Sequence, residues 1–371
     1  MKQEERMLET GQWSERRARE WHGENDWSCG FNYLPRTAVN FLDMWMPDSF
    51  DIDLIRQELT WAQQAGYNAI RTNLPYVVWL NDRDGLLTRI DSFLGLADEL
   101  GFSVMLCPLD DCEFSGMEPV FGTQPAPEPL VHNSRAVGSP GRDRVVTETE
   151  HPSILRYVKD IISTFANDTR VNIWDLYNEP GNTGTFSGGT FSEYSGPLYR
   201  HALSLMKQVF KVARECNPIQ PLTVGCWRMG QTSAEGDRFF TDNIDQTALA
   251  LSDVVSFHAY CDKATLERII KQLKSDYDRP LFCTEWMARH VDSRIETQLQ
   301  VFKSEGVGCY QWGLVAGETQ TYLPWPNINK PELDLGRETK LWFHDIFWSD
   351  GRPYDQGEID TVRALTGSSR S

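Results

Sequence analysis

Short apolar segments alternate with longer amphipathic segments along most of the chain. The short segments are rich in β-branched and aromatic residues and lack the polar alternation of a half-exposed strand. Strands of this composition are buried on both faces, as in a parallel sheet. The pattern therefore predicts eight buried strands, at residues 27–34, 68–74, 102–109, 171–178, 222–227, 254–260, 281–287 and 307–314.

Helical periodicity fills the intervals between these strands. Residues 51–66, for example, have an acidic start, apolar residues at helical spacing and a terminal glycine. Residues 244–251 show a weaker form of the same signal. The pattern also predicts helices at residues 89–101, 154–167, 199–216, 264–276, 295–306 and 340–347.

Strands that are each followed by a helix predict an α/β fold, a (β/α)8 TIM barrel in a single domain. We assign the barrel to residues 27–348, a helical extension packed on it to residues 1–26, and a C-terminal tail to residues 349–371. A doubly wound open sheet is the alternative. It is disfavoured because no glycine-rich phosphate-binding turn follows any predicted strand.

Two connections are longer than a link between a strand and a helix needs to be. One covers residues 111–150 after the third strand, and the other covers residues 316–337 after the eighth. Both are placed at the C-terminal face, where barrel enzymes carry their sites, so we expect them to act as lids or binding loops. They also carry aromatic side chains that can stack on a ligand, namely Phe114, Phe121, Tyr322 and Trp325.

Composition and charge limit the classes of binding partner that the sequence predicts. The chain has 371 residues and a formal net charge of −17, which disfavours nucleic acid and anionic membrane surfaces. No apolar run reaches membrane-spanning length, and the N-terminus lacks the apolar stretch of a secretory signal. We therefore expect a cytoplasmic protein with no nucleic-acid partner and no membrane partner. A homo-oligomer is compatible with the sequence.

The cysteines have the pattern of buried thiols. Eight are present, no C-x-x-C pair occurs, and most lie inside apolar runs. This arrangement predicts reduced thiols in a core rather than a zinc or redox motif. The clearest examples are Cys107, Cys226, Cys283 and Cys309.

Polar and aromatic side chains follow nearly every predicted strand at its C-terminal end. These ends meet at one mouth in a (β/α)8 barrel, and a structural need for such a pattern is hard to find. The residues are Arg71, Asn73, Asp110, Asp111, Asn178, Glu179, Trp227, His258, Tyr260, Glu285, Trp286, Gln311 and Trp312.

The segment WDLYNEP, residues 174–180, ends the fourth strand. Pro180 cannot donate a hydrogen bond to a β ladder, and it disfavours the α region for the residue before it. We therefore expect Asn178 and Glu179 at the lip of this strand, with Glu179 in extended geometry.

Glu179 and Glu285 lie on strands four and seven, on roughly opposite sides of the predicted barrel. Two carboxylates that face each other across a sugar-sized gap can cleave a glycosidic bond, one as an acid and the other as an anion. Ionisation of one carboxyl raises the pKa of the other, which supplies this division of roles. Each residue alone also has a structural explanation: Glu179 as an exposed acid in a turn, Glu285 as an ion-pair partner of Arg71, His258 as a core histidine, Trp312 as core filling. Their joint placement favours the functional interpretation.

These residues resemble a known family. Asn178-Glu179 on strand four and Glu285 on strand seven are similar to the signature of the retaining (β/α)8 glycoside hydrolases. Within that clan the chain resembles family 5, the cellulase-like family, over essentially the whole barrel. The residues that carry this closer resemblance are Arg71, His258, Ala259, Tyr260 and Trp312.

The resemblance implies a role for each matched residue. Glu179 matches the acid/base, Glu285 the nucleophile, and Asn178 the residue that binds the sugar 2-hydroxyl. Four further residues match positions around the cleaved sugar: Arg71 and Tyr260 as partners of the nucleophile, His258 in the mouth, and Trp312 as the platform beneath the sugar.

One stretch departs from the family pattern. The family often has a histidine after strand three, where this chain has LDDCEFSG, residues 109–116. We expect Asp110 or Asp111 to bind sugar hydroxyls there, and Trp227 after strand five to contribute to substrate binding. The stretches RRAREW, NYLPRTAVNFLDMW and DDCEFSG resemble a branch of family 5 without secretion signals, which includes cytosolic β-mannosidases.

The sequence thus predicts a retaining exo-β-glycosidase that hydrolyses a terminal β-linked sugar of a short oligosaccharide, with β-mannose implied by the resemblance. An endo-β-1,4-glycanase of the cellulase, mannanase or xylanase type is the alternative enzyme. A non-catalytic carbohydrate-binding barrel is the alternative of another class, which the presence of both glutamates disfavours. No metal or organic cofactor is implied, because no H-x-x-x-H or H-E-x-x-H pair and no calcium-loop pattern occurs.

Overall fold

A computed structural model describes residues 11–229, 238–328 and 341–367. All eight predicted strands are confirmed, each within its predicted segment. They are β1 (Cys29–Asn32), β2 (Ala69–Asn73), β3 (Ser103–Cys107), β4 (Val171–Asp175), β5 (Leu222–Thr223), β6 (Val255–His258), β7 (Leu281–Trp286) and β8 (Gly308–Trp312).

The strands close into a barrel. Neighbours pair in the order β6-β7-β8-β1-β2-β3-β4-β5, and each strand pair is parallel. A bridge between Cys226 and Phe257 joins the two ends of this order. There the backbone N–H of His258 donates to the carbonyl of Cys226 at 2.7 Å. The chain is therefore a single-domain (β/α)8 TIM barrel, whose strand ends share one face.

Helices cover the outside of the barrel, with caps that the sequence encodes. Asp51, for example, accepts hydrogen bonds from the N–H groups of Asp53 and Leu54, and Gly66 ends the same helix at a φ of 98°. The helices of the described residues are α1 (Glu15–Gly23), α2 (Phe41–Trp45), α3 (Ile52–Ala65), α4 (Tyr76–Glu99), α5 (Arg142–Val146), α6 (His151–Phe165), α7 (Leu198–Glu215), α8 (Asn243–Leu251), α9 (Lys263–Asp276), α10 (Ile295–Ser304) and α11 (Gln356–Thr366).

Short elements complete the mouth of the barrel. The strand Leu109–Asp110 pairs with Tyr177–Asn178 in parallel, just beyond the ends of β3 and β4. The strands Gly184–Thr185 and Ser192–Glu193 form an antiparallel pair in the loop after β4. Turns of 3₁₀ helix occur at Glu148–Glu150, Ser187–Gly189 and Arg289–Val291.

The helix predicted at residues 89–101 is longer than its pattern indicated. It begins at Tyr76, directly after Pro75, and it is kinked at Asp82, where φ and ψ are −146° and 60°. The kink interrupts the helical periodicity, which hid the first half of the helix. Arg89 holds the kink through a hydrogen bond of 2.8 Å from its Nη2 to Asp82.

The helix predicted at residues 340–347 is wrong. Residue 340 lies outside the described residues, and residues 341–347 form no helix. Their backbone bonds to another segment instead, since the N–H of Phe343 donates to the carbonyl of Tyr322 at 2.7 Å. In the part of the chain that the structure describes, the next helix after β8 is α11, within the segment assigned to the tail, and it packs against α3 and α10.

The N-terminal helix lies at the end of the barrel opposite the mouth. Trp13 and Ala18 belong to a buried cluster with Ala69, Val254 and Phe282, which stand at or near the beginnings of their strands. Residues 1–10 of the predicted extension and residues 368–371 of the predicted tail lie outside the described residues. Among the described helices, none is long and apolar enough to cross a membrane.

Candidate active site

Glu179 and Glu285 meet at the mouth of the barrel. Glu179 follows the short strand Tyr177–Asn178, and Glu285 lies near the end of β7. Carboxylate oxygens of both, together with a ring nitrogen of His258, all lie within 4.8 Å of one another. The Glu179 side chain is 12% exposed and that of Glu285 is 8% exposed. The two carboxyl groups are therefore mostly buried but open to the mouth.

The backbone of Glu179 differs from the prediction. The proline rule predicted extended geometry, which is wrong, because the φ of Glu179 is +42°. A tight turn outweighs the rule: the N–H of Asn182 donates to the Glu179 carbonyl at 3.0 Å, and Gly181 N–H donates to Asp111 Oδ2 at 2.6 Å. A non-glycine residue at positive φ is strained, and such strain is typical of functional sites.

Glu179 accepts three side-chain hydrogen bonds. His258 Nδ1 lies 2.9 Å from Oε1, while Asn182 Nδ2 and Cys112 Sγ lie 2.6 and 3.1 Å from Oε2. Burial raises the pKa of this carboxyl, but the hydrogen bond and charge of His258, with the bonds from Cys112 and Asn182, outweigh it. The pKa of Glu179 is therefore lowered while His258 is protonated.

Glu285 has a different set of partners. Arg71 Nη1 donates to Oε1 at 3.0 Å, and the Tyr260 hydroxyl donates to Oε2 at 2.8 Å. Burial raises the pKa of Glu285 above its ordinary value, and the charge of Glu179 adds to this, whereas His258, Arg71 and Tyr260 act in the opposite direction. Arg71 is a permanent cation, so Glu285 keeps one positive partner whatever the state of His258.

His258 links the two carboxylates. Its Nδ1 also lies 3.6 Å from Glu285 Oε2. Burial lowers the pKa of His258, but the charge of Glu285 and the hydrogen bond to Glu179 raise it above its ordinary value. Gly225 leaves room for the ring, because a Cβ there would lie 3.1 Å from His258 Nε2. The imidazole thus holds a proton directly against Glu179.

Arg71 lies beneath the cavity and orders its floor. It is fully buried, and besides Glu285 it donates to Asn178 Oδ1 at 2.6 Å, to Asn32 Oδ1 at 2.6 Å and to Asp175 Oδ2 at 2.9 Å. Sequence reasoning missed Asn32 and Asp175. Both end their observed strands, β1 and β4, but they lie inside the longer segments that were predicted, 27–34 and 171–178, so the predicted strand ends did not point to them.

The two predicted aspartates have different places. Asp110 lines the cavity, but Asn73, Asn178 and the N–H of Cys112 already donate to its oxygens at 2.9, 2.9 and 2.8 Å. Burial raises its pKa to about 6. Asp111 is fully buried and does not line the cavity. It supports the Glu179 turn from behind, so a direct sugar contact is not available to it.

A cavity of about 480 Å³ occupies the mouth. Of the residues predicted at the mouth, four do not line it: Arg71, Asp111, Trp286 and Gln311. Phe114 and Trp325 from the long loops line it, whereas Phe121 and Tyr322 do not. The structure brings the other predicted residues together on its wall: Asn73, Asp110, Asn178, Glu179, Trp227, His258, Tyr260, Glu285 and Trp312.

Several lining residues were not predicted from the sequence. Cys112 and Asn182 contact Glu179, and His132 and His344 stand in the long loop after β3 and in the segment after β8. Cys112 follows the DD pair that the sequence singled out, so its neighbourhood was visible. The histidines carried no local signal, because their loops approach the site only in the folded chain.

The two long loops are joined to each other. His132 Nδ1 donates to the carbonyl of Leu323 at 2.6 Å, and the N–H of Asn133 donates to the carbonyl of Thr319 at 2.7 Å. Gln320 Nε2 donates to a carbonyl of the first loop, that of Glu128, at 2.7 Å. Burial lowers the pKa of His132 to about 4, so its ring is neutral. The loops together form one wall, which we call the joined-loop wall; residues 329–337 of the second loop lie outside the described residues.

One cluster in the described part of the chain has the donor atoms of a metal site: Glu179, His258 and Glu285. Its chemistry fits proton transfer better than a cation. The guanidinium of Arg71 already contacts Glu285, and all four carboxylate oxygens accept hydrogen bonds from side chains.

Solved structures share this architecture. An exo-β-1,4-mannosidase from Opitutaceae bacterium strain TAV5 is 16% identical with a TM-score of 0.58; the match covers 92% of this chain and 60% of that chain, so the present chain spans less than two thirds of its length. An endo-1,4-β-mannanase from Rhizomucor miehei is 14% identical with a TM-score of 0.59, covering 92% and 94%. A GH5_18 protein from Streptomyces cattleya, solved with Manβ1-4GlcNAc, is 14% identical with a TM-score of 0.55, covering 92% and 81%.

No curated protein sequence matches the chain. The structural similarities, all at low identity, concern the fold. The family profile described as Cellulase (glycosyl hydrolase family 5) matches residues 35–317, which is more than half of the sequence. The chain therefore belongs to glycosyl hydrolase family 5.

Proposed function

We propose that the protein is a retaining exo-β-mannosidase that removes the terminal β-linked mannose from short oligosaccharides. The observation that carries this proposal is the Glu179–Glu285 pair, with oxygens within 4.8 Å, in a cavity bounded by the joined-loop wall. This close approach of one oxygen from each carboxyl supports nucleophilic attack, because the carboxyl groups of retaining enzymes lie about 5–5.5 Å apart, closer than the roughly 6.5–9.5 Å of inverting enzymes.

The reaction takes two displacements. In the first, Glu285 attacks the anomeric carbon while Glu179 gives its proton to the departing glycosidic oxygen, and a glycosyl–Glu285 ester forms. In the second, Glu179 takes a proton from water, and the water oxygen displaces Glu285 from the sugar. Arg71 and Tyr260 donate to Glu285 and stabilise it as the anion that attacks and later leaves.

Glu179 needs a proton in the first step, although its pKa is lowered beside a protonated His258. We propose that Glu179 and His258 share one proton across their contact of 2.9 Å. If the proton moves to Glu179, His258 becomes neutral, and Glu285 still has Arg71. Substrate that excludes water favours this neutral pair over the ion pair, because separated charges are costly in an apolar site.

The joined-loop wall supports an exo action. Hydrogen bonds from His132, Asn133 and Gln320 hold the two long loops together on one side of the cavity, which favours a pocket over a cleft open at both ends. A terminal sugar can enter, with the rest of the oligosaccharide leaving past Glu179 toward Trp227. The mannose preference is supported by the mannosidase and by the Manβ1-4GlcNAc complex among the structural neighbours.

An endo-β-1,4-mannanase is the second candidate. Structural neighbours from Rhizomucor miehei and Thermotoga petrophila are endo-mannanases with TM-scores of 0.59 and 0.57, similar to that of the exo-mannosidase. A substrate panel distinguishes the candidates. We expect hydrolysis of an aryl β-mannoside well above that of aryl β-glucoside and β-xyloside, with no loss of viscosity from mannan. Viscosity loss without aryl β-mannoside hydrolysis would favour the endo enzyme.

A further inference from the structure

The thiol of Cys112 contacts the proposed acid/base. Cys112 lines the cavity on the loop after β3, and its Sγ lies 3.1 Å from Glu179 Oε2. The backbone N–H of Cys112 donates to Asp110 Oδ1 at 2.8 Å, which fixes the position of the residue. The sulfur is thus held against one particular oxygen of Glu179, the oxygen that also accepts from Asn182.

The surroundings fix the direction of this hydrogen bond. Two amide groups face the sulfur, with Asn178 Nδ2 at 3.4 Å and Asn182 Nδ2 at 3.6 Å. Amide N–H groups can only donate, so Sγ accepts from them and its own hydrogen is left for Glu179. Burial, with the charges of Glu179 and Asp110, raises the pKa of the Cys112 thiol well above its usual value, which keeps that hydrogen on the sulfur.

We propose that Cys112 is a positioning residue: its S–H donates to Glu179, holds the carboxyl at its place beside the cavity, and stabilises the carboxylate that acts as base in the second step. This inference rests on the proposed role of Glu179 as acid/base. It assigns a function to the stretch after β3 where the chain departs from the family pattern, and it gives that function to a thiol rather than to a histidine or an acid.

Several other groups act on Glu179, and the test must separate Cys112 from them. They belong to the elements that meet at the mouth. The groups are His258 on β6, Glu285 on β7, Tyr260 after β6, Asp110 beside Cys112, and Asn182 in the turn of Glu179 itself. Replacing only the sulfur leaves all of them in place.

The first experiment compares the pH profiles of kcat/KM for the wild type, Cys112→Ala and Cys112→Ser on an aryl β-mannoside. Loss of the donor destabilises the Glu179 carboxylate, so the proton that Glu179 shares with His258 is lost at a higher pH, and we expect the alkaline limb of Cys112→Ala to move up by about 0.5–1 pH unit. Serine keeps a hydrogen-bond donor at the same place, so the alkaline limb of Cys112→Ser should lie at the wild-type pH. Cys216→Ala is the matched control, since Cys216 is also half-buried but lies after α7, away from the cavity.

A spectroscopic measurement covers the case in which the alanine variant does not fold. The infrared S–H band of Cys112 is isolated as the difference between the wild type and Cys112→Ser. We expect it at lower frequency than the band of Cys216, because the acceptor is a carboxylate, and we expect it to rise in Glu179→Gln. A Cys112 band that is unchanged by Glu179→Gln would overturn the proposal, as would an unmoved limb in folded Cys112→Ala or a serine variant that behaves like alanine.

The failure of this inference can be told from the failure of the proposed function. Glu179→Ala measured with azide and with two leaving groups reports the role of Glu179 alone. If Glu179 acts as acid/base and the Cys112 variants follow the wild type, only the positioning role is overturned. If Glu179→Ala shows neither azide rescue nor leaving-group dependence, both are overturned.

Discussion

His258 Nδ1 lies 2.9 Å from Glu179 Oε1. In the proposed mechanism this contact lets Glu179 carry the transferred proton, because His258 can pass its own proton to Glu179. Burial raises the pKa of Glu285, but the permanent charge of Arg71 beside it favours the anion that attacks the sugar. The chemical difference between two similar carboxylates therefore comes from one titratable ring and one permanent cation.

The two glutamates should respond differently to removal. We expect Glu285→Ala to abolish turnover of every substrate, because no nucleophile remains. Glu179→Ala should keep first-step cleavage of aryl glycosides with good leaving groups, which need little protonation. Azide should then speed its turnover by attacking the glycosyl–enzyme and give a glycosyl azide. Steady-state rates with and without azide on two leaving groups measure this; equal behaviour of both variants would contradict the assigned roles.

Replacement of His258 by asparagine tests the shared proton. The pair loses its last proton as the pH rises through the raised pKa of His258, above the ordinary 6.5. Without the ring, only Glu179 remains to hold a proton, so we expect the alkaline limb of kcat/KM to move to lower pH. If His258 were only a fixed cation, its loss would raise the pKa of Glu179 and move the limb upward. The direction of the shift decides between them.

His132→Phe tests the joined-loop wall. It removes the donor to the Leu323 carbonyl, a hydrogen bond worth about 0.5–1.5 kcal/mol, and we expect KM for a terminal sugar to rise several-fold with a smaller change in kcat. The matched control is His151→Phe, which loses a hydrogen bond of the same type to Val145 outside the cavity. Equal KM values for the two variants would show that the wall does not shape the sugar site.

The buried carboxyl of Glu113 should make the free energy of unfolding depend on pH. Burial raises the pKa of this carboxyl from 4.5 to about 8. Because the pKa is raised in the folded state, the contribution of Glu113 to the free energy of unfolding is full below pH 4.5 and is lost as the pH rises toward about 8. We therefore expect the free energy of unfolding of Glu113→Gln, relative to the wild type, to grow across this range by at most about 1.4 kcal/mol per pH unit. Denaturant titrations at several pH values measure it.

Glu99→Gln is the control for that series. Glu99 is exposed and pairs with Arg56, whose hydrogen bond lowers the pKa of this carboxyl. Its replacement should give no stabilisation that grows with pH. A similar rise in both variants would show that a general charge effect, rather than burial of Glu113, is responsible.

The barrel could be predicted because its strands are buried on both faces, which leaves a simple signal in the sequence. The strand ends alone predicted that Glu179, Glu285, His258 and Tyr260 meet at one mouth. The φ of Glu179 could not be predicted, since a local proline rule was outweighed by hydrogen bonds from residues that the turn itself brings close.

Loop residues escaped prediction for a similar reason. His132 reaches the cavity only because its loop bonds to a segment about two hundred residues further along the chain, through the contact with Leu323. Residues 341–347 have a helical apolar pattern, yet they form no helix, because the N–H groups of Phe343 and His344 donate to the carbonyls of residues 322 and 321. Such contacts depend on the closed barrel and leave no periodic trace.

The most direct test of the proposed reaction is time-resolved proton NMR of β-1,4-mannotriose during hydrolysis, which reports product size and anomeric configuration together. We expect β-mannose as the first monosaccharide, released steadily with mannobiose and before mutarotation produces the α-anomer. Retention follows from attack by Glu285, and release of one sugar at a time follows from the joined-loop wall. An α-anomer as the first product would contradict the two-step mechanism, and mixed oligomers appearing first from longer mannan chains would contradict the exo action.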